Sequence, residues 1–231
     1  MLRVEGLSQF YGKSNILRDV DLDVPDGECT CLMGRNGVGK TTLLRCLMGL
    51  TPNRAGKILY KDRDITRLRP EERARLGIGY VPQGRQIFPL LTVGENLQVG
   101  LPARRKPTKG IPSFVYGFFP VLKEMLGRRG GDLSGGQQQQ LAIARALVLE
   151  PEFLILDEPT EGIQPNIVQG IIATVKRLIA EMGMTVLQVE QKVPVARKAG
   201  DRYAIMERGH IVDSGDMADL SEEKIRNFLS V

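Results

Sequence analysis

Gly34-Arg35-Asn36-Gly37-Val38-Gly39-Lys40-Thr41 sets a glycine, four free positions, a second glycine, a lysine and a threonine in a row. Glycines at this spacing let backbone N–H groups wrap an anion, and a helix that starts there adds positive potential. The anion that fits is a polyphosphate. Lys40 then reaches its terminal phosphates, and the Thr41 hydroxyl is placed to hold Mg²⁺. Thr42 follows in the first helical turn and joins the phosphate-binding set. A second element is Phe153-Leu154-Ile155-Leu156-Asp157-Glu158, an apolar run that ends in two acids. A buried strand of this kind delivers Asp157 toward Mg²⁺, through water. It delivers Glu158 to orient or deprotonate an attacking water. A third anion site is Ser134-Gly135-Gly136-Gln137, where Ser134 caps a helix and two glycines expose its first N–H groups. An ordinary N-cap with a turn explains that segment equally well.

Strands alternating with helices must position these groups. Leu2-Val4, Ile16-Leu22 and Cys29-Met33 read as strands, with Pro25-Asp26-Gly27 as a turn. The spacing predicts a helix over 41–49, ended by Gly49 and Pro52. Short strands follow over 57–60 and 79–81. The stretch 101–110 carries four basic residues and two prolines and reads as a solvated connector; contact with anionic lipid is the alternative for Arg104, Arg105, Lys106 and Lys109. Helices are expected over 114–127, 137–149 and 174–182, and strands over 153–156, 185–189, 203–206 and 211–212. The last two flank a hairpin at Arg208-Gly209-His210. Ser221 caps a final helix. This alternation is that of an α/β parallel sheet.

Composition narrows the field. The 231 residues are 42% apolar and 26% charged, enough to bury a core and too apolar for global disorder. Aromatics are 5% with no Trp, which disfavours stacking platforms for sugars or bases. A net charge of +5 suits nucleotides, polyanions or an anionic surface without choosing among them. Cys29 and Cys31 alternate along an apolar run, so they share one face; a core pair and a metal half-site are both open, and Cys46 completes the three. No apolar stretch is long enough to span a membrane, and the first residues do not read as a signal peptide.

Taken together, the three motifs, their order and Gln83 in Tyr80-Val81-Pro82-Gln83 resemble the ATP-binding cassette (ABC) ATPases over essentially the whole chain. The resemblance implies an α/β fold: a RecA-like P-loop NTPase core with an antiparallel β-subdomain, formed by 1–84 and 151–231, and an α-helical subdomain inserted at 85–150. It implies ATP and Mg²⁺. Tyr11 is similar to the aromatic that stacks on adenine; a plain strand-surface residue is its alternative. Gln83 resembles the residue that senses Mg²⁺ and links core to helical insert. Ser134 to Gln137 resemble the signature loop that closes over the γ-phosphate held by an opposite subunit. Ile87 to Leu91 lie where the family receives a coupling helix from its membrane subunits; packing in the core is the alternative for this apolar run.

Three departures stand out. Gln191, in Val189-Glu190-Gln191, occupies the place of the usual switch histidine; the one histidine, His210, lies in the later hairpin. An amide still donates to a γ-phosphate but carries no charge. Glu161-Gly162-Ile163-Gln164 replaces the usual loop after the catalytic glutamate, and Gln138-Gln139-Gln140 extends the signature. These features resemble the smaller ATPase of branched-chain amino-acid and amide importers, and the segment 119–140 is closest to the urea-importer branch, so the resemblance implies an importer of urea or short amides, with the branched-chain amino-acid importer as the alternative. The resemblance implies a second, paralogous cassette, two integral-membrane permease subunits and a solute-binding protein. It implies a peripheral place on the cytoplasmic side of the inner membrane. A cassette acting on DNA or ribosomes is the contrasting reading, and the chain lacks the inserted coiled coils, zinc modules or second cassette of such proteins; no nucleic-acid partner is expected. A non-catalytic regulatory subunit is a third reading, opposed by Glu158. Lys40 is expected on a solvent-facing loop.

Overall fold

The computed structural model describes residues 1–104 and 110–229. Among the described residues ten strands run in chain order: β1 Leu2–Tyr11, β2 Ser14–Val24, β3 Cys29–Met33, β4 Ala55–Tyr60, β5 Arg63–Asp64, β6 Ile78–Val81, β7 Phe153–Asp157, β8 Thr185–Val189, β9 Arg202–Glu207 and β10 His210–Asp216. They form two sheets. One is antiparallel, in the order β2-β1-β4-β5. The other has the order β10-β9-β3-β8-β7-β6, parallel throughout except for the edge strand β10.

The sequence explains this division. β3, β7 and β8 are near-continuous apolar runs and every residue in them is buried, as a parallel sheet covered on both faces requires. Alternate residues of β7 serve two cores. Phe153 and Ile155 pack with the antiparallel sheet and the helix Lys40–Leu47, whereas Leu154 and Leu156 pack with the helices Gly135–Leu147 and Pro165–Met182. Cys29 and Cys31 fall on one face, in the second of these cores, and all three cysteines are buried and free.

Register brings the chemistry to one edge. Leu32 pairs with Val189, and Val189 pairs with Asp157. Gly34, Gln191 and Glu158 lie one or two residues beyond that level. The carboxyl ends of β3, β7 and β8 therefore open on a common crevice, the usual ligand position of such sheets.

Several boundaries differ from expectation. β1 runs on to Tyr11 and β2 from Ser14, because pairing with each other carries both strands past their apolar stretches. The helix expected from Thr174 starts at Pro165, where proline suits the first helical position and loses no bond. The stretch 114–127 splits into Ser113–Phe118 and Pro120–Glu124, broken at the residue before Pro120. The helix Val93–Gln98, begun by a Thr92–Glu95 capping box, and the helices Pro70–Arg75 and Val193–Ala199 are additions to the sequence reading. Arg104 is not solvated: it is buried and paired with Glu150 at 2.5 Å. Its neighbours Arg105, Lys106 and Lys109 lie outside the described residues.

Candidate active site

The loop after β3 takes its shape from two glycines. Gly34 has φ 151°, and a Cβ there would sit 2.3 Å from the Met206 carbonyl oxygen. Gly39 has φ 115° and caps the helix Lys40–Leu47 without a side chain, leaving the first N–H groups free for a ligand. Lys40 departs from its expected solvent-facing place. It is 5% exposed, and Nζ donates to the carbonyls of Gly34 at 2.7 Å and Arg35 at 2.8 Å. A flexible four-carbon stem lets the ammonium fold back on its own loop. Burial lowers its pKa, while Glu158 and Asp157 work in the opposite direction.

Asp157 ends β7 and is 1% exposed. Its Oδ1 accepts a long bond, 3.5 Å, from the Thr41 hydroxyl. Its Oδ2 is buried with no hydrogen-bond partner. Burial pushes the carboxyl up to about 6, against the pull of the Thr41 hydroxyl. An orphaned carboxylate oxygen beside a threonine hydroxyl fits a hard cation with oxygen ligands, so these residues suit Mg²⁺. Among the described residues no three His, Cys, Asp or Glu cluster as a metal site. A proton would compete with such a cation for this carboxylate. Mg²⁺ affinity, followed by isothermal titration, should be flat above pH 6 and fall about tenfold per unit below it.

Glu158 follows immediately, at φ 50°, a sparsely used conformation for a non-glycine residue. Its Oε1 accepts from Gln191 Nε2 at 2.5 Å and its Oε2 from Gln83 Nε2 at 3.2 Å. Gln83 also donates to Glu161 Oε2 at 3.0 Å. Two amides thus hold the carboxylate as an acceptor, and each oxygen keeps a lone pair for a water proton.

These groups surround one cleft of about 390 Å³, lined by Tyr11, Ile16, Asn36, Gly37, Gly39, Lys40, Thr41, Thr42, Gln83, Glu158, Glu161 and Gln191. Tyr11 closes β1 and is 49% exposed, free to stack on a ring. Gly34, Arg35 and Val38 complete the loop behind that lining, and Asp157 lies under it. Ser134, Gly135, Gly136 and Gln137 are absent from the lining. They start the helix Gly135–Leu147, where Ser134 Oγ accepts from Gln137 N at 3.4 Å and Gln137 Oε1 from Ser134 N at 3.0 Å. A Cβ at Gly136 would meet Ile167 at 2.8 Å, so that glycine also serves close packing. A larger cleft of about 540 Å³ among Met1, Arg3, Asp23, Lys61 and Glu152 holds none of the selected residues.

Sequence reasoning gave Glu161 no role in the cleft and passed over Glu190 in favour of its neighbour. Glu190 is 3% exposed, and its carboxylate accepts from Thr160 Oγ1 at 2.6 Å and from the N–H groups of Gln191 and Lys192 at 2.9 Å each. The signal for it was the acid directly after an apolar strand, the same signal that marked Asp157.

A parallel sheet with this order and a phosphate-type loop after its central strand define the class: a P-loop nucleoside-triphosphatase fold. The family model described as "ABC transporter" matches residues 17–161. The chain is 41% identical over 230 residues to the high-affinity branched-chain amino acid transport ATP-binding protein BraG of Pseudomonas aeruginosa, covering 98% of each. It is 35% identical over 225 residues to the probable branched-chain amino acid transport ATP-binding protein LivF of Archaeoglobus fulgidus, covering 97% of this chain and 95% of that one. Among solved structures it is similar to a nucleotide-free ATP-binding cassette from an ABC transporter, with TM-score 0.86, 30% identity, and 100% and 95% of the two chains covered. A dimeric post-hydrolysis cassette bound to ADP and Pi gives TM-score 0.84 at 26% identity, covering 94% of this chain and 99% of that one. The chain belongs to the ABC transporter family as its ATP-binding, ATP-hydrolysing subunit, whose hydrolysis is coupled to transport through membrane permease subunits. No helix among the described residues is long and apolar enough to cross a membrane.

Proposed function

We propose that this chain is the ATPase subunit of an importer for branched-chain amino acids, with ATP bound in the Lys40–Gln191 cleft. The observation that carries the site is the convergence of Lys40, Asp157, Glu158 and Gln191 on one crevice. Backbone N–H groups of Gly34 to Thr42 cradle the phosphates, with Lys40 leaving its loop carbonyls for the terminal phosphates, and Tyr11 stacks on the adenine. Thr41, Asp157 and Gln83 would hold Mg²⁺, which supplies charge neutralisation on the phosphates. Glu158 takes the proton of the attacking water. Gln191 steadies Glu158 and donates to the γ-phosphate as it moves.

Ser134 to Gln137 act elsewhere in this reading. Their absence from the lining fits a loop that closes the site of a second, paralogous cassette, whose own signature closes this one. The same reading assigns 1–84 and 151–231 to the core with its β-lobe and 85–150 to a helical subdomain. Phe88, 44% exposed, lines a groove with Ile87, Val99 and Leu149, and Leu90, two residues on, is 82% exposed; together they suit the docking of one of two permease subunits. A solute-binding protein completes the importer. The chain sits on the cytoplasmic side of the inner membrane, with no nucleic-acid partner.

The solute rests on the two relatives named for branched-chain amino acids, each matched over nearly its full length. Urea is the second reading, favoured by the segment 119–140. The ATPase of the reconstituted importer decides between them: leucine with its binding protein should stimulate turnover and urea should not, and the reverse result selects urea.

Gln191 gives a sharper test of the site. Gln191→Ala removes a bond to a charged carboxylate and should lower turnover by the equivalent of about 1.5–3 kcal/mol. Gln191→His should keep activity and add a pH limb near the ordinary imidazole range, about 6.5, because a neutral amide is exchanged for a titrating ring. Steady-state ATPase profiles of the assembled transporter would read both. Wild-type turnover for Gln191→Ala would make Gln191 a spectator.

A further inference from the structure

Glu190 is a buried carboxylate outside the lining of the cleft, an expensive place for a charge unless it is fully hydrogen-bonded. Three donors satisfy it. Two are the consecutive N–H groups of Gln191 and Lys192 on Oε1, and the third is the Thr160 hydroxyl on Oε2. Those donors come from two different loops. Thr160 is two residues beyond Glu158, on the loop that follows β7. Gln191 and Lys192 begin the loop that follows β8. The backbone adds one more link, Glu158 N to Val189 O at 3.2 Å. On the other side Glu190 N donates to Leu32 O at 3.1 Å, just before the phosphate loop.

We propose that Glu190 and Thr160 form a positioning clamp that ties the Glu158 loop to the Gln191 loop and sets the contact between Gln191 Nε2 and Glu158 Oε1. The reacting groups sit on two loops, and neither loop alone fixes their separation. The 2.5 Å amide–carboxylate contact is held by the partly exposed Glu158 and the exposed Gln191, so side-chain packing does not fix it. A carboxylate suits the clamp because one of its oxygens accepts two N–H groups while the other accepts a hydroxyl. A Gln in its place keeps the two N–H contacts but must turn its NH₂ to the Thr160 oxygen. An apolar residue leaves all three donors without their acceptor, the Thr160 hydroxyl among them buried. The clamp acts through Gln191 and Glu158 and touches no nucleotide, so its effect belongs in turnover and not in ATP affinity.

The inference rests on the reading of Glu158 as the base, which stands or falls separately on Glu158→Gln. The test is steady-state ATPase and ATP titration on the assembled transporter. Thr160→Val keeps the volume and removes the hydroxyl; it should lower kcat about tenfold, the worth of one bond to a charged group, with KM for ATP within about twofold. Thr160→Ser should restore kcat. Glu190→Gln, which keeps both N–H contacts, should lower kcat by less than Thr160→Val, again without a change in KM. In a Gln191→Ala background, Thr160→Val should have no further effect on kcat, because the contact it positions is already gone. Full additivity of Thr160→Val and Gln191→Ala, or unaltered kcat in both Thr160→Val and Glu190→Gln, would overturn the clamp. A raised KM in place of a lowered kcat would also overturn it, by making the pair part of the nucleotide-binding surface.

Discussion

Glu158→Gln should bind ATP with near-normal affinity, hydrolyse it about 10²–10⁴-fold more slowly at this site, and hold the two cassettes in a closed, ATP-loaded state. The size follows from removing a positioned general base. The geometry adds a second reason. Glu158 accepts from two amide donors, Gln191 on Oε1 and Gln83 on Oε2. A glutamine offers one oxygen and one NH₂, so one of those donors would face another donor. The side chain must then rotate or abandon Gln83, and the base is lost together with part of its support. Affinity survives because the phosphate cradle is backbone and Lys40. Single-turnover hydrolysis and size-exclusion of the ATP-loaded complex would measure both effects, and wild-type turnover would remove Glu158 from the mechanism.

Lys40→Ala should abolish tight ATP binding, with a modest stability cost. The ammonium closes its own loop through the carbonyls of Gly34 and Arg35. Removing it leaves two acceptors without this partner, worth about 1–3 kcal/mol, or a melting temperature lower by about 2–4 °C for each kcal/mol in a chain of this size. Far-UV circular dichroism should stay unchanged, since the helix Lys40–Leu47 is held by Leu43, Leu44 and Leu47 in the core. A flat ATP titration with native dichroism separates lost chemistry from lost fold. Retained micromolar affinity would contradict the phosphate-cradle reading.

The chemistry was legible in the sequence where spacing alone constrains it. Gly34 and Gly39 with Lys40 and Thr41 form a local motif, and the strand that delivers Asp157 is an unmistakable apolar run. β8 could be read residue for residue, because a short β-branched and apolar run buried on both faces is bounded by Gly183 on one side and by Glu190 on the other. Less was legible where long-range pairing decides. Tyr11 is in a strand because β1 and β2 pair to their tips, a fact no local pattern contains. Arg104 looked solvated beside other basic residues, yet Glu150, 46 positions away, gives it a buried partner. Lys40 looked exposed because a loop lysine usually is, and its return to two loop carbonyls depends on the loop's own curvature. The Glu190–Thr160 bond joins residues 30 apart on neighbouring strands' ends, and only the register of β7 with β8 brings them together.

The central claim is that nucleotide occupies the crevice at the carboxyl ends of β3, β7 and β8. Amide hydrogen exchange on the purified chain, with and without Mg²⁺-ATP, tests it most directly. Protection should concentrate in the segment 34–42 and extend to 157–158 and 190–192. The segment 134–137 should show no change with ATP in the isolated chain and gain protection only in the assembled transporter with ATP. Protection confined to the larger cleft around Met1, Lys61 and Glu152, or none along 34–42 at saturating ATP, would contradict the account.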